Sequence, residues 1–166
     1  SATLTVLIAV IAAFLSSFIA RHLGTTIDDL EAKYREIVEG TNDLITIVDN
    51  DGKFIFVNSM SNSIFGLSPE DCIGRLASDF IHPDDKEPAI EAFQGWLADK
   101  KSTVTYENRQ ISVTHDVHSM LWTINIHYDE AGNFETLNSI ARDITERMNI
   151  EEELRNALVD AERANQ

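Results

Sequence analysis

The sequence predicts an α+β fold: a five-stranded antiparallel sheet with helices on one side, flanked by an N-terminal transmembrane helix and a C-terminal coiled-coil helix. Three observations predict it. Turn chemistry at Asn50-Asp51-Gly52, between LITIV and FIFVN, and at Glu130-Ala131-Gly132-Asn133, between LWTINIHY and FETLNSIA, marks two hairpins and hence antiparallel pairing. Residues 85–101 carry Ile90, Phe93 and Leu97 at helical spacing with Trp96 beside them, the pattern of a helix laid on one sheet face. Alternation through Phe134, Thr136, Asn138 and Ile140 gives way to helical spacing at Asp143, so a strand hands over directly to a helix.

In chain order, the first segment is residues 1–21. Its first 20 residues carry no charge, and at roughly 1.5 Å per residue they reach about 30 Å, the thickness of a hydrocarbon core. The ten Leu, Ile, Val and Phe among them contribute roughly −3 to −6 kcal/mol of insertion free energy. A secretory signal would show a basic flank and a shorter apolar run. The chain opens on Ser1 without an initiator Met, and is expected to be cut from something longer. Arg21, His22, Lys33 and Arg35 favour a cytoplasmic side for the residues after the span, against a local balance blurred by Asp28, Asp29 and Glu31.

Residues 22–40 read as a helical linker or N-terminal cap. Ile27, Leu30, Tyr34 and Ile37 fall at spacings of 3, 4 and 3, which suits either a short coiled-coil seam or an amphipathic helix lying on the sheet. No room is left for a separate two-helix linker domain. Residues 41–145 form the α+β domain, and residues 146–166 a C-terminal helix with Ile150, Leu154, Ala157, Ala161 and Ala164 at spacings of 4, 3, 4 and 3. By spacing this is a parallel coiled-coil seam whose knobs shrink to alanine, so its packing per heptad is weak, and a frayed helix end is the alternative. At the junction, Asp143 with Glu146 three residues on forms a capping-box pattern.

A chain of 166 residues with 43% hydrophobic content buries one ordinary core. A net charge of −15, from 28 acids against 13 bases, repels phosphate and excludes a nucleic-acid partner. The single cysteine, Cys72, forms no internal disulfide and suits a reducing compartment.

Candidate chemistry is sparse. His82 with Asp84 and Asp85 can be drawn as a metal cluster, but Pro83 and the helix start make the aspartates better dipole partners and caps. His115 and His118 lie in the connection between two strands as solvated loop histidines and lack further ligands, so no metal is expected. A ligand cavity between sheet and helices would be lined by Phe65, Phe80, Phe93, Trp96, Trp122 and Ile124, with Asn58 as a polar handle. The same aromatics equally well form plain core.

The segment Asp143-Ile144-Thr145-Glu146-Arg147 resembles the motif that closes PAS sensory domains. Residues 44–58 (LITIVDNDGKFIFVN) resemble the first PAS hairpin, 64–75 (IFGLSPEDCIGR) its short helices, 80–85 (FIHPDD) the loop before its long helix, and 106–142, with Trp122, Asp129, Gly132 and Arg142, its three closing strands. The pieces occur in family order over residues 34–149.

The resemblance implies a cytoplasmic PAS domain at the cell membrane that relays a signal through Asp143, Ile144, Thr145 and Glu146 to a helix shared by a parallel homodimer. The final residues are similar to the lead-in to the phosphoacceptor helix of PAS-linked histidine kinases. A kinase domain in the same chain and membrane lipid are then the other partners, and this fragment holds no catalytic machinery. The alternatives are a cofactor-based redox, gas or ligand sensor and a PAS relay upstream of a diguanylate cyclase. Haem-binding PAS domains supply a histidine from the long helix, and residues 86–101 contain none. Flavin photoreceptors need a reactive cysteine after the Gly-Arg pair, where Gly74-Arg75 is followed by Leu76-Ala77-Ser78. No stoichiometric haem or flavin is therefore expected, and a non-covalently bound flavin or a small organic ligand is left open.

Overall fold

The computed structural model describes residues 29–164, and the chain divides into two units, residues 1–40 and 41–166. The predicted membrane span, residues 1–21, lies outside the described residues, as does Ile27. Among the described residues no helix is long and apolar enough to cross a membrane. In the first unit, residues 29–39 form helix α1, along which Leu30, Tyr34 and Ile37 are exposed.

The second unit is built on five strands: β1 (Leu44–Val48), β2 (Phe54–Val57), β3 (Thr103–Ile111), β4 (Val117–Tyr128) and β5 (Phe134–Asp143). They form one antiparallel sheet in the order β2-β1-β5-β4-β3. Two turns of the same construction set the hairpin registers. Asp49 Oδ1 accepts from the Asp51 and Lys53 amides (2.9 Å each), and Asp129 takes the Asn133 amide and side chain at 2.7 and 3.0 Å. Each turn needs a residue at positive φ, and glycine supplies it at Gly52 (79°) and Gly132 (81°) without the clash a Cβ would bring.

Between β2 and β3 come α2 (Ser61–Ile64), α3 (Pro69–Cys72), a 3-10 turn (Ala77–Phe80) and α4 (Pro83–Ala98). Ser68 caps α3 by accepting from the Asp71 amide, with Pro69 in the first turn. The core joins one face of the sheet to these helices: Leu44, Val48, Phe54, Val57, Met120, Trp122, Ile124, Ile126 and Ala141 meet Ile64, Phe65, Cys72 and Phe80 in a single cluster. Phe54, Phe65 and Phe80 stack as a tilted trio with centroids 4.4 to 5.9 Å apart. Burial pushes the Cys72 thiol up, which suits a packed rather than reactive group.

The long helix begins two residues before the predicted start because Pro83 is preorganised for its first position and His82 caps it through Nδ1, 3.3 Å from the Asp84 amide. His82 is thus a cap, and no group of metal ligands occurs among the described residues. His118 is corrected from loop to strand: it lies on β4, which starts at Val117, while His115 occupies the β3–β4 turn at φ 70°. After β5, helix α5 (Thr145–Ala164) runs 20 residues with its described side chains exposed beyond the first turn.

Candidate functional site: a sheet cavity and a strand-to-helix junction

Helix α4 has no buried residue although it is 16 residues long. It is fixed to the sheet at two places instead. Near its start Asp85 takes the Arg109 guanidinium in two contacts, 2.5 Å to Oδ1 and 3.1 Å to Oδ2, and the Arg109 amide at 2.7 Å. The Arg109 bonds hold the Asp85 carboxyl below the usual carboxylate range. Further along, Phe93 meets Phe134 edge-on at 5.4 Å and Trp96 meets Tyr106 edge-on at 5.2 Å. Between helix and sheet lies a cavity of about 380 Å³, the size class of a site for a small organic molecule.

Of the predicted lining residues, Phe93, Trp96, Trp122 and Ile124 do line this cavity. Phe65 packs in the aromatic trio behind Phe54, which itself lines the cavity, and Phe80 borders a separate groove with Arg75 and Ser112. Asn58 does not reach the cavity either. It is fully buried and straps the start of β1, its Oδ1 accepting from the Ile45 amide at 3.0 Å and its Nδ2 donating to the Asp43 carbonyl at 3.0 Å. The polar residues that do line the cavity include Thr46, Asn108, Gln110 and Ser139 on the strands. Sequence reasoning passed over them because polar side chains in a strand read as solvent-facing. The period-2 series Tyr106, Asn108, Gln110, sharing a face with an aromatic, is the signal that places them inward.

The junction is knitted by a few short bonds. The Ile144 amide donates to the Ser119 carbonyl at 2.8 Å, and Thr145 Oγ1 accepts from the Ser119 amide at 2.8 Å, extending β4–β5 pairing into the first helical residue. Thr145 in turn donates to Asp143 Oδ1 through its hydroxyl (2.5 Å) and its amide (2.9 Å). Asp143 Oδ2 lies 2.8 Å from His118 Nδ1. Burial pushes the Asp143 carboxyl up, but the Thr145 and His118 bonds outweigh it and hold the group below the usual range. Ile144 is buried, and Glu146 is exposed. The reciprocal Glu146 bond of a capping box does not occur among the described residues, so the helix start is tied through Thr145 to β4 and not through Glu146.

The sequence profile of the PAS fold family matches residues 38–149. The chain is similar to Sporulation kinase A of Bacillus subtilis (strain 168), 29% identical over 137 residues that make up 77% of this chain and 21% of that protein. It therefore spans about a fifth of that relative's length. Among solved structures, a sensory box histidine kinase/response regulator from Burkholderia thailandensis superposes with a TM-score of 0.63 at 19% identity, covering 79% of this chain and 98% of that one. The N-terminal domain of a diguanylate cyclase with PAS/PAC sensor from Marinobacter aquaeolei gives 0.55 at 12% identity, covering 64% and 98%. With a family match over most of its length, an antiparallel sheet in the order 2-1-5-4-3 and the strand-to-helix junction in place, the chain belongs to the PAS fold family and is a PAS sensor domain similar to those of histidine kinases and diguanylate cyclases.

Proposed function

We propose that this chain is the sensory and relay part of a membrane-anchored two-component sensor histidine kinase, passing a conformational signal from membrane or ligand through the PAS domain to an output helix. Residues 1–21 anchor it in the cell membrane, residues 22–40 form the helical linker, residues 41–145 are the cytoplasmic PAS domain, and residues 146–166 open a signalling coiled coil. The observation that carries this reading is the junction: one residue, Ile144, separates the end of β5 from the start of α5, and both flanks are bonded to β4. A strand displacement at the cavity thus reaches the helix without a flexible link. The kinship with a sporulation kinase supports the kinase output.

In this reading two copies pair in parallel along Ile150, Leu154, Ala157 and Ala161, which lie exposed on α5 at heptad spacing. The fragment itself is not catalytic; a downstream kinase domain in the same chain does the chemistry, and nucleic acid is not a partner. Sequencing past Gln166 and assaying autophosphorylation of the parent protein in lipid nanodiscs test this. A phosphoacceptor histidine and a nucleotide-binding box are expected, with a phosphorylation rate that responds to stimulus and becomes fixed in Asp143→Ala. A cyclase domain in that place, or a normal response in the variant, overturns the reading.

A further inference from the structure

We infer that the cavity under α4 takes a neutral, flat molecule that presents a hydrogen-bond donor and acceptor side by side on one edge, as a lactam does. This rests on the reading of the domain as a ligand sensor. Recognition is built on β3. The Trp122 indole N–H can only donate, and it lies 2.8 Å from Asn108 Oδ1, which fixes the orientation of the Asn108 amide. Gln110 Nε2 donates to the same oxygen at 3.0 Å, and the reverse orientation would set two acceptors against each other, so the Gln110 amide is fixed as well.

Two groups are left over, Asn108 Nδ2 as donor and Gln110 Oε1 as acceptor, neither carrying a hydrogen bond among the described residues. Gln110 is 3% exposed, yet no fully buried side-chain polar atom among the described residues lacks a partner. Its free oxygen is therefore reached from the cavity that the residue lines. A ligand that displaces water there must offer a matching N–H, and beside it a carbonyl for Asn108, or it leaves both groups unpaired.

Two further observations narrow the class. Among the described residues no Lys, Arg or His lines the cavity, and its charged lining residues are Asp49 and Asp51 of the β1–β2 turn. An anionic ligand would meet like charge and find no cation to pair with. The remaining lining is mostly apolar and mixes aliphatic with aromatic side chains; Phe93 and Trp96 of α4 and Trp122 of β4 are among the aromatics, and they offer ring faces to a flat molecule. The hydroxyls of Thr46 and Ser139, register partners on β1 and β5, form a second polar patch. Ser139 aligns through Ile124 with Val104, four residues from Asn108 along β3, so this patch sits at the other end and the amide pair alone sets the recognised edge.

Calorimetric titration of the full chain with 2-quinolone, N-methyl-2-quinolone and quinoline-2-carboxylate tests the inference. The lactam is expected to bind at least about ten-fold more tightly than either analogue, a gap of about 1.4 kcal/mol. In Gln110→Met the advantage over the N-methyl compound should vanish while that compound still binds, and in Ser139→Ala the advantage should persist. Equal affinities for the two quinolones in the unaltered chain, or an undiminished ratio in Gln110→Met, overturn the edge assignment. If Gln110→Met does not fold, the ratio in the unaltered chain decides alone. Absence of binding by all three probes to folded protein instead removes the ligand-sensing reading on which the inference rests.

Discussion

Replacing Thr145 by valine keeps the side chain's shape and removes one oxygen that serves two bonds at once. The first is accepted from the Ser119 amide at 2.8 Å, in a half-buried position, and its loss leaves a backbone donor short of a partner. The second is donated to the Asp143 carboxylate at 2.5 Å. A neutral bond contributes about 0.5–1.5 kcal/mol net and a bond to a charged group about 1.5–3. Because Asp143 keeps the Thr145 amide and His118, the two losses overlap, and a total of about 1.5–3 kcal/mol is expected. Both tryptophans, Trp96 and Trp122, lie in the 41–166 unit, so their fluorescence in a urea titration follows that unit alone. The midpoint should fall by about 1 M at an unchanged slope. Glu146→Gln, altering an exposed residue, should stay within about 0.5 kcal/mol of the parent. A Thr145→Val midpoint equal to the parent's, or a Glu146→Gln loss as large, would show that the helix start is held by a reciprocal capping box and that the bonds to β4 are incidental.

Three further outcomes are expected. The Asp143 carboxyl sits below its ordinary value in the folded chain, so its contribution is complete above the unfolded value of about 3.9 and fades as pH falls through the lower folded one; urea midpoints of the parent and of Asp143→Asn should converge in that acid window, and a constant gap would deny the carboxylate this role. Asp85→Asn should speed amide hydrogen exchange in the first two turns of α4 while the sheet strands stay protected, and unchanged exchange there would mean the aromatic contacts alone hold the helix. In the membrane-reconstituted parent, cysteines at Leu154 and Ala161 should form intersubunit disulfides faster than cysteines at Glu152 and Glu162, with Cys72 silent because it is buried; equal rates at all four would remove the coiled-coil seam.

The fold was legible where local chemistry decides it. Turns carrying Gly52 and Gly132 set both hairpins, and the spacing of Ile90, Phe93 and Leu97 marked α4, because these signals act within a few residues. The site was legible only in part. Phe65 and Phe80 look like Phe93 and Trp96 in a sequence, but which side of the core an aromatic joins depends on where α2 and the 3-10 turn cross the sheet. Asn58 stood out as a polar group among core residues, and only the pairing of β2, which ends just before it, with β1 shows that it serves backbone groups. Asp143 stood out as the helix cap, but it closes β5 two residues before α5 starts; its side chain bonds to Thr145 and to His118, the latter 25 residues away. The longest-range bonds are the ones that spacing cannot reveal.

The sheet order has a mechanical consequence. β5 is the middle strand, hydrogen-bonded along both edges to β1 and β4, so it cannot slide independently of its neighbours. A ligand of the proposed kind would have to act on it by changing the twist of the whole sheet. The helix that leaves β5 is then a pointer mounted on that surface. Its 20 residues extend about 30 Å, so a tilt of about 5° at the junction sweeps the far end through roughly 2.5 Å. In the proposed parallel dimer, that displacement would be the scale on which a weak alanine-rich interface changes its packing, so a motion too small to notice inside the domain would become a discrete choice at the end of its lever.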